Sequence, residues 1–192
     1  MIIGLTGGIG SGKSVVAKIL ETMGCVIFNS DNAAREIYHD PEVRTKVTAL
    51  LGSQSYLTAT TINKKHIGAQ IFGNSELLLQ LNNIIHPAVA RSFKTFVAAH
   101  PGKTVVKESA LLFEANVAGQ VNKVIMVAAD DAIRIQRVIA RDGLTREEVL
   151  KKINSQMLQD EKIKRSDFVI YNNEKEFLVP QVIEILKKTN HA

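Results

Sequence analysis

Apolar and polar positions along the 192-residue chain alternate between two rhythms, and the switch between them divides it into elements. Ile2-Ile-Gly-Leu5 is a short apolar run with the look of a buried strand. From Lys13 to Met23 the apolar positions Val15, Val16, Ile19, Leu20 and Met23 keep helical spacing, and Gly24 is placed to end that helix. Cys25-Val-Ile-Phe28 is again strand-like. Strand character returns at Lys103-Thr-Val-Val106, at Lys123-Val-Ile-Met-Val-Ala128 and at Asp167-Phe-Val-Ile-Tyr171. The middle run of these is nearly continuous, as in a central parallel strand covered on both faces.

Between residues 31 and 99 the pattern is helical throughout, with breaks expected at Pro41, at 52–55, at Gly73-Asn74 and at Pro87. A crossover of that length implies an inserted helical subdomain, because a plain βαβ connection needs far fewer residues. Helices are also predicted over 130–142, from Thr145 to about Lys164 and over 175–188. Thr145 with Glu148 three residues on is a capping-box pattern and sets a helix start near Arg146. Strands alternating with helices predict an α/β fold: a parallel sheet in three layers, with sites at the carboxyl ends of its strands.

Composition changes this picture little. Apolar residues form 45% of the chain and charged ones 22%, the balance of a soluble globular protein. The net charge of +5 suits nucleic acid and multiply phosphorylated small molecules alike. With three Tyr, seven Phe and no Trp there is no series of stacking platforms, so no nucleic-acid partner is expected. One cysteine, Cys25, allows no internal disulfide and reads as a small apolar residue. The opening apolar run is too short for a signal peptide or a membrane span, so no membrane association and a cytoplasmic setting are expected.

Gly7-Gly-Ile-Gly-Ser-Gly-Lys-Ser14 fits G-x-x-x-x-G-K-[ST] and lies between a strand and a helix, where a phosphate-binding P-loop must lie. Glycines let backbone amides face phosphate oxygens, and the following helix adds its positive end. Gly8, Gly10, Ser11, Gly12, Lys13, Ser14 and Val15 are therefore the expected ATP cradle. Lys13 would reach the β- and γ-phosphates, and Ser14 would offer its hydroxyl to Mg²⁺. A phosphoryl-transfer enzyme also needs further cations and a carboxylate for the accepting hydroxyl.

Asp31, three residues past the second strand, is placed to orient or deprotonate an acceptor; as a helix N-cap it fits its spacing equally well. Arg134, Arg137 and Arg141 share a helical face ahead of a charged hairpin, a pattern similar to the lid of small kinases. Arg137 and Arg141 read as nucleotide-facing, and Arg134 as a solvated residue. Glu108, after the third strand, could act on Mg²⁺ through water, while a lone His86 before Pro87 is more often a structural histidine than a catalyst.

Several segments together resemble the dephospho-CoA kinase family: Ile3 to Ser14, Phe28-Asn-Ser-Asp-Asn-Ala-Ala-Arg35, Ile85-His-Pro-Ala-Val89, Ala110-Leu-Leu-Phe-Glu114, and Gln136 to Asp142 with Thr145-Arg-Glu-Glu148. The resemblance implies phosphorylation of the ribose 3′-hydroxyl of dephospho-CoA by ATP with Mg²⁺, the last step of coenzyme A synthesis. It implies a single domain with its core at about 1–30, 100–136 and 166–192, an acceptor-binding helical insertion at about 31–99 and a lid at about 137–165. Asp31 then becomes the expected base, and Lys13 and Arg141 join it as catalytic. Arg35, His86, Glu108, Leu112 and Phe113 become acceptor-side residues. ATP and dephospho-CoA are the expected partners of a monomer or small homo-oligomer. Three departures stand out: Asn29 where the family usually has Asp, Glu108-Ser-Ala110 for Asp-Ile-Pro, and Ala90 where an arginine is usual. From a different class, a P-loop switch ATPase has neither an Asn-Lys-x-Asp signature nor a clear strand-ending Asp in its favour.

Overall fold

The computed structural model describes residues 1–190, which divide into two compact units: 1–29 together with the chain from His100 onward, and Ser30–Ala99. The first unit is built on five strands, β1 (Ile2–Thr6), β2 (Val26–Asn29), β3 (Val105–Glu108), β4 (Lys123–Ala128) and β5 (Phe168–Tyr171). They form one sheet in the order β2-β3-β1-β4-β5, and every pairing is parallel. Alternation along β1 sends Ile3 and Leu5 to one face, where they meet Val16, Ala17 and Leu20 of α1 (Lys13–Thr22). Val182 and Ile185 of the closing helix complete that layer.

On the other face, a Cβ on Gly4 would come within 2.8 Å of Leu112, so the strand must be bare there for Leu112 to pack. The third strand begins and ends two residues later than the sequence pattern suggests. It includes Lys107 and Glu108, 2% and 6% exposed, because both charges find partners. At the open edge the side-chain amide of Gln181 donates to the carbonyl of Tyr171 and accepts from its N–H, occupying the hydrogen bonds another strand would take.

The second unit contains α2 (Ser30–Glu36), α3 (Pro41–Leu51), α4 (Lys64–Ile71) and α5 (Ser75–Ala98). Asp40 caps α3 by accepting from the N–H groups of Glu42 and Val43, and Pro41 fits the first turn, where no N–H is needed. The break expected at Pro87 is absent: α5 runs through it. Loss of one helical hydrogen bond is outweighed because Leu81, Ile85, Ala88 and Phe93 are buried on both sides of the proline.

The chain after β4 forms α6 (Asp131–Asp142), α7 (Arg146–Asn154), α8 (Gln159–Lys164) and, after β5, α9 (Leu178–Asn190). Thr145 and Glu148 make the expected reciprocal cap on α7. The long helix predicted as far as Lys164 is interrupted by a turn at 155–158. Among the described residues, no helix is long and apolar enough to cross a membrane.

Candidate active site

Between β1 and α1 the glycine-rich segment turns through left-handed backbone at Gly10 (φ 79°) and Gly12 (φ 91°). Space reinforces conformation at both. A Cβ on Gly10 would approach the Arg134 carbonyl to 2.5 Å, and one on Gly12 would strike the Asn172 amide. That amide donates to the Ser11 carbonyl at 2.8 Å, so the end of β5 braces the loop from outside. The loop delivers Lys13 as the first residue of α1, with Ser14 and Val15 exposed beside it.

Parallel register sets what lies opposite Lys13. Glu108 pairs across the sheet with Leu5 on one side and Asn29 on the other, so three strands present their carboxyl ends at one place. Lys13 Nζ donates to Glu108 Oε1 at 3.1 Å, and Asn29 Nδ2 donates to Glu108 Oε2 at 2.8 Å. The lysine and glutamate side chains are 14% and 7% exposed. An aspartate at position 29 would set a second carboxylate against Glu108; the amide removes that repulsion and serves as a donor.

Arg137 lies beside the loop, its Nη2 donating to the Asn172 carbonyl at 3.1 Å and to Glu174 at 3.1 Å. Its Nη1 is buried without a hydrogen-bond partner among the described residues and would be 3.9 Å from a Cβ on Gly12. A buried, unsatisfied guanidinium nitrogen next to a phosphate loop is a donor ready for an anion. Arg141 is 62% exposed and forks onto Asp142 at 2.7 and 2.8 Å. The hydrogen-bonded carboxylate raises the guanidinium above its ordinary range, and Arg141 holds Asp142 below its own.

Arg134 overturns the sequence expectation of a solvated face. It is 3% exposed and donates to the Ile9 carbonyl at 3.0 Å and to Asp131 at 2.7 Å. Leu112 is fully buried in the core, with no surface to offer an acceptor. Phe113 is half-buried. In the helical unit Asp31 is the second residue of α2, inside its first turn, and so is not the N-cap that spacing also allowed. Arg35 is in the last turn of α2 and His86 on α5, and all three are exposed. Desolvation by the neighbouring chain lowers the affinity of the His86 ring for its proton, although the residue as a whole is exposed.

Gln156, Glu114, Lys162 and Asn172 were not assigned roles from sequence, although each supports the loop or the turn above it. Asn172 had a usable signal, since it directly follows a strand at its carboxyl end, and Glu114 closes one of the segments quoted above.

Hard oxygen donors suit Mg²⁺, which takes one or two protein ligands and completes its shell with substrate phosphates and water. The Ser14 hydroxyl and the Glu108 carboxylate are of that kind, so the residues present fit the ion. No cluster of three or more His, Cys, Asp or Glu able to hold a metal occurs among the described residues.

Comparison with known proteins settles the family. The dephospho-CoA kinase family model matches residues 1–176. The chain belongs to the dephospho-CoA kinase family. A dephospho-CoA kinase of Shouchella clausii is 39% identical over 196 residues, covering 100% of both chains. One from Bacteroides fragilis is 36% identical, covering 96% of this chain and 90% of its own. The crystal structure of TT1252 from Thermus thermophilus is 31% identical, covers 100% of this chain and 96% of that one, and superimposes with a TM-score of 0.85. The match to the dephospho-CoA kinase family model thus includes residues of both compact units, the glycine loop between β1 and α1 among them.

Proposed function

We propose that this chain phosphorylates the ribose 3′-hydroxyl of dephospho-CoA with ATP, giving CoA and ADP, in the cytoplasm. The observation that carries the reading is the Lys13–Glu108–Asn29 group at the mouth of the glycine loop, in a chain of this family. Without nucleotide, Glu108 neutralises Lys13. When ATP arrives, Lys13 turns to the β- and γ-phosphates, whose charge replaces that of Glu108, and the loop amides and Arg137 Nη1 take the remaining oxygens. Mg²⁺, held by Ser14 and by Glu108 through water, would supply charge neutralisation between the phosphates. Asn29 keeps Glu108 oriented while Lys13 leaves.

In this reading Asp31 accepts the proton of the attacking hydroxyl, and Arg35, His86 and Phe113 contact the acceptor on behalf of the helical unit and the segment after β3. Leu112 is left out, since it is a core residue. The segment 137–165 acts as the lid, and Arg141 exchanges Asp142 for a phosphate oxygen as it closes. A coupled ADP-release assay with Mg²⁺ and ATP, with and without dephospho-CoA and with the product weighed by mass spectrometry, tests this. Acceptor-dependent ADP with a product one phosphate heavier is expected; ADP release indifferent to acceptor would refute it.

A further inference from the structure

Ile9 is the large apolar residue inside the glycine loop, and all three of its contact-making groups are held by the chain that follows β4. Its side chain packs against Ile135, Val138 and Val149, the small core shared by α6 and α7. Its carbonyl accepts from Arg134 Nε at 3.0 Å. Its N–H donates at 2.9 Å to the Gln156 side chain, 147 residues further along. A phosphate loop holds its anion largely through backbone amides, so whatever fixes its peptide planes also bears on its grip.

Both partners are themselves held fast. Arg134 is buried and tied to Asp131, and it lies so close to the loop that a Cβ on Gly8 would overlap its guanidinium. Gln156 occupies the turn between α7 and α8. The next N–H, that of Met157, donates to Glu114 at 2.9 Å, and Glu114 pairs at 2.7 Å with Lys162, which is 1% exposed and also donates to the Ala110 carbonyl. The turn is therefore fastened to the segment after β3 through Glu114 and its ion pair with the buried Lys162 ammonium. A cavity of about 410 Å³ opens alongside, with Gly8, Arg134, Ile153 and Met157 among its walls.

We infer that Arg134 and Gln156 are positioning residues for the phosphate loop: they fix the peptide planes on either side of Ile9 and so make the loop's grip on nucleotide depend on the seating of α6, α7 and the 155–158 turn. The inference rests on the nucleotide-binding reading above. Its physical basis is that phosphoryl transfer is mostly alignment, and a displacement of about 1 Å at a distance from the chemistry can cost about a hundredfold in rate. A shift of the turn withdraws the acceptor of the part-buried Ile9 N–H, and a polar group left unpaired there favours a different placement of the loop.

The test uses the full chain with three substitutions. Gln156→Met keeps the bulk and removes the acceptor, Gln156→Glu keeps an acceptor, and Arg134→Lys keeps the charge and removes the Nε donor. Hydrogen exchange of the Ile9 amide, Mg·ADP affinity by calorimetry and the KM for each substrate are measured. In Gln156→Met, Ile9 exchange should quicken by about tenfold or more, and the ATP KM and ADP Kd should rise by about tenfold, the dephospho-CoA KM staying in place. Gln156→Glu should keep the Ile9 amide protected, and Arg134→Lys should weaken ADP binding. Wild-type Ile9 exchange in Gln156→Met would overturn the inference, as would equal losses for both substrates that track a lowered Tm. If the unsubstituted chain ignores dephospho-CoA, the proposed function fails, while Ile9 exchange and ADP affinity still decide this one.

Discussion

The two compact units bury their polar groups on different terms. In the helical unit the core is Val43, Val47, Leu51, Tyr56, Ile67, Leu81, Ile85 and Ala88, and its buried polar residues among those described are Ser30 and Ser55. Among the described residues of the sheet unit four charged side chains are buried, Lys107, Glu108, Arg134 and Lys162, each with a partner. Burying a charge is costly unless it is paired and hydrogen-bonded. Three of the four, Glu108, Arg134 and Lys162, connect to the glycine loop or to the turn that contacts it. Stability and phosphate chemistry are therefore entangled in the sheet unit, whereas the candidate groups of the helical unit, Asp31, Arg35 and His86, are exposed and lie outside its core.

The largest effect expected from this contrast is at Lys13. Lys13→Ala should lower turnover by about a thousandfold or more, since it removes a cation from the transferring phosphate. It should also cost about 2 kcal/mol of stability, because Glu108 loses one of its two partners in a 7%-exposed position. Adding Glu108→Gln should return most of the stability and none of the turnover. Urea unfolding and the ADP assay, run on both variants, check this. A Lys13→Ala protein as stable as the parent would break the claimed entanglement.

Glu114→Gln is next. It removes the countercharge of the buried Lys162 ammonium and leaves it only neutral oxygen acceptors, and should destabilise the chain by about 3 kcal/mol, measured by urea unfolding at neutral pH. The same pair sets a pH dependence. Against the cost of burial, the Lys162 ammonium and the Met157 N–H hold Glu114 below the ordinary glutamate range. The unfolded chain then binds the proton more readily than the folded one, so this stabilisation is in force above about pH 4.3 and fades as pH falls through the depressed folded value. Glu114→Gln should flatten that acid limb.

What could be read from the sequence was local. The glycine loop between a strand and a helix, and the Thr145–Glu148 cap, are short-range patterns in which every partner lies within a few residues. Arg134 was misread because its partner, Ile9, is 125 residues away, and i, i+3 spacing cannot tell a solvated arginine from one under a loop. The same distance hid Gln156 and the Glu114–Lys162 pair. The third strand was placed too early because buried Lys-Glu is rare, and nothing nearby in sequence shows that Gln120, Lys13 and Asn29 will satisfy it. Pro87 was read as a break by a rule that holds for backbone hydrogen bonding but not for a helix anchored on both sides.

The smallest of the three effects sharpens the contrast from the other side. Asp31 is exposed in the first turn of α2, where its charge also meets the positive end of a short helix. Asp31→Asn keeps size and hydrogen-bonding capacity, so the unfolding free energy from urea titration should stay within about 0.5 kcal/mol of the parent, as for ordinary surface substitutions. As the proposed base, its loss should lower kcat by about a hundredfold with the ATP KM little changed. Unchanged kcat would return Asp31 to the helix-start role its spacing also allows. A fall in kcat accompanied by a stability loss like that of Lys13→Ala would mean that the helical unit, too, builds its chemistry into its core.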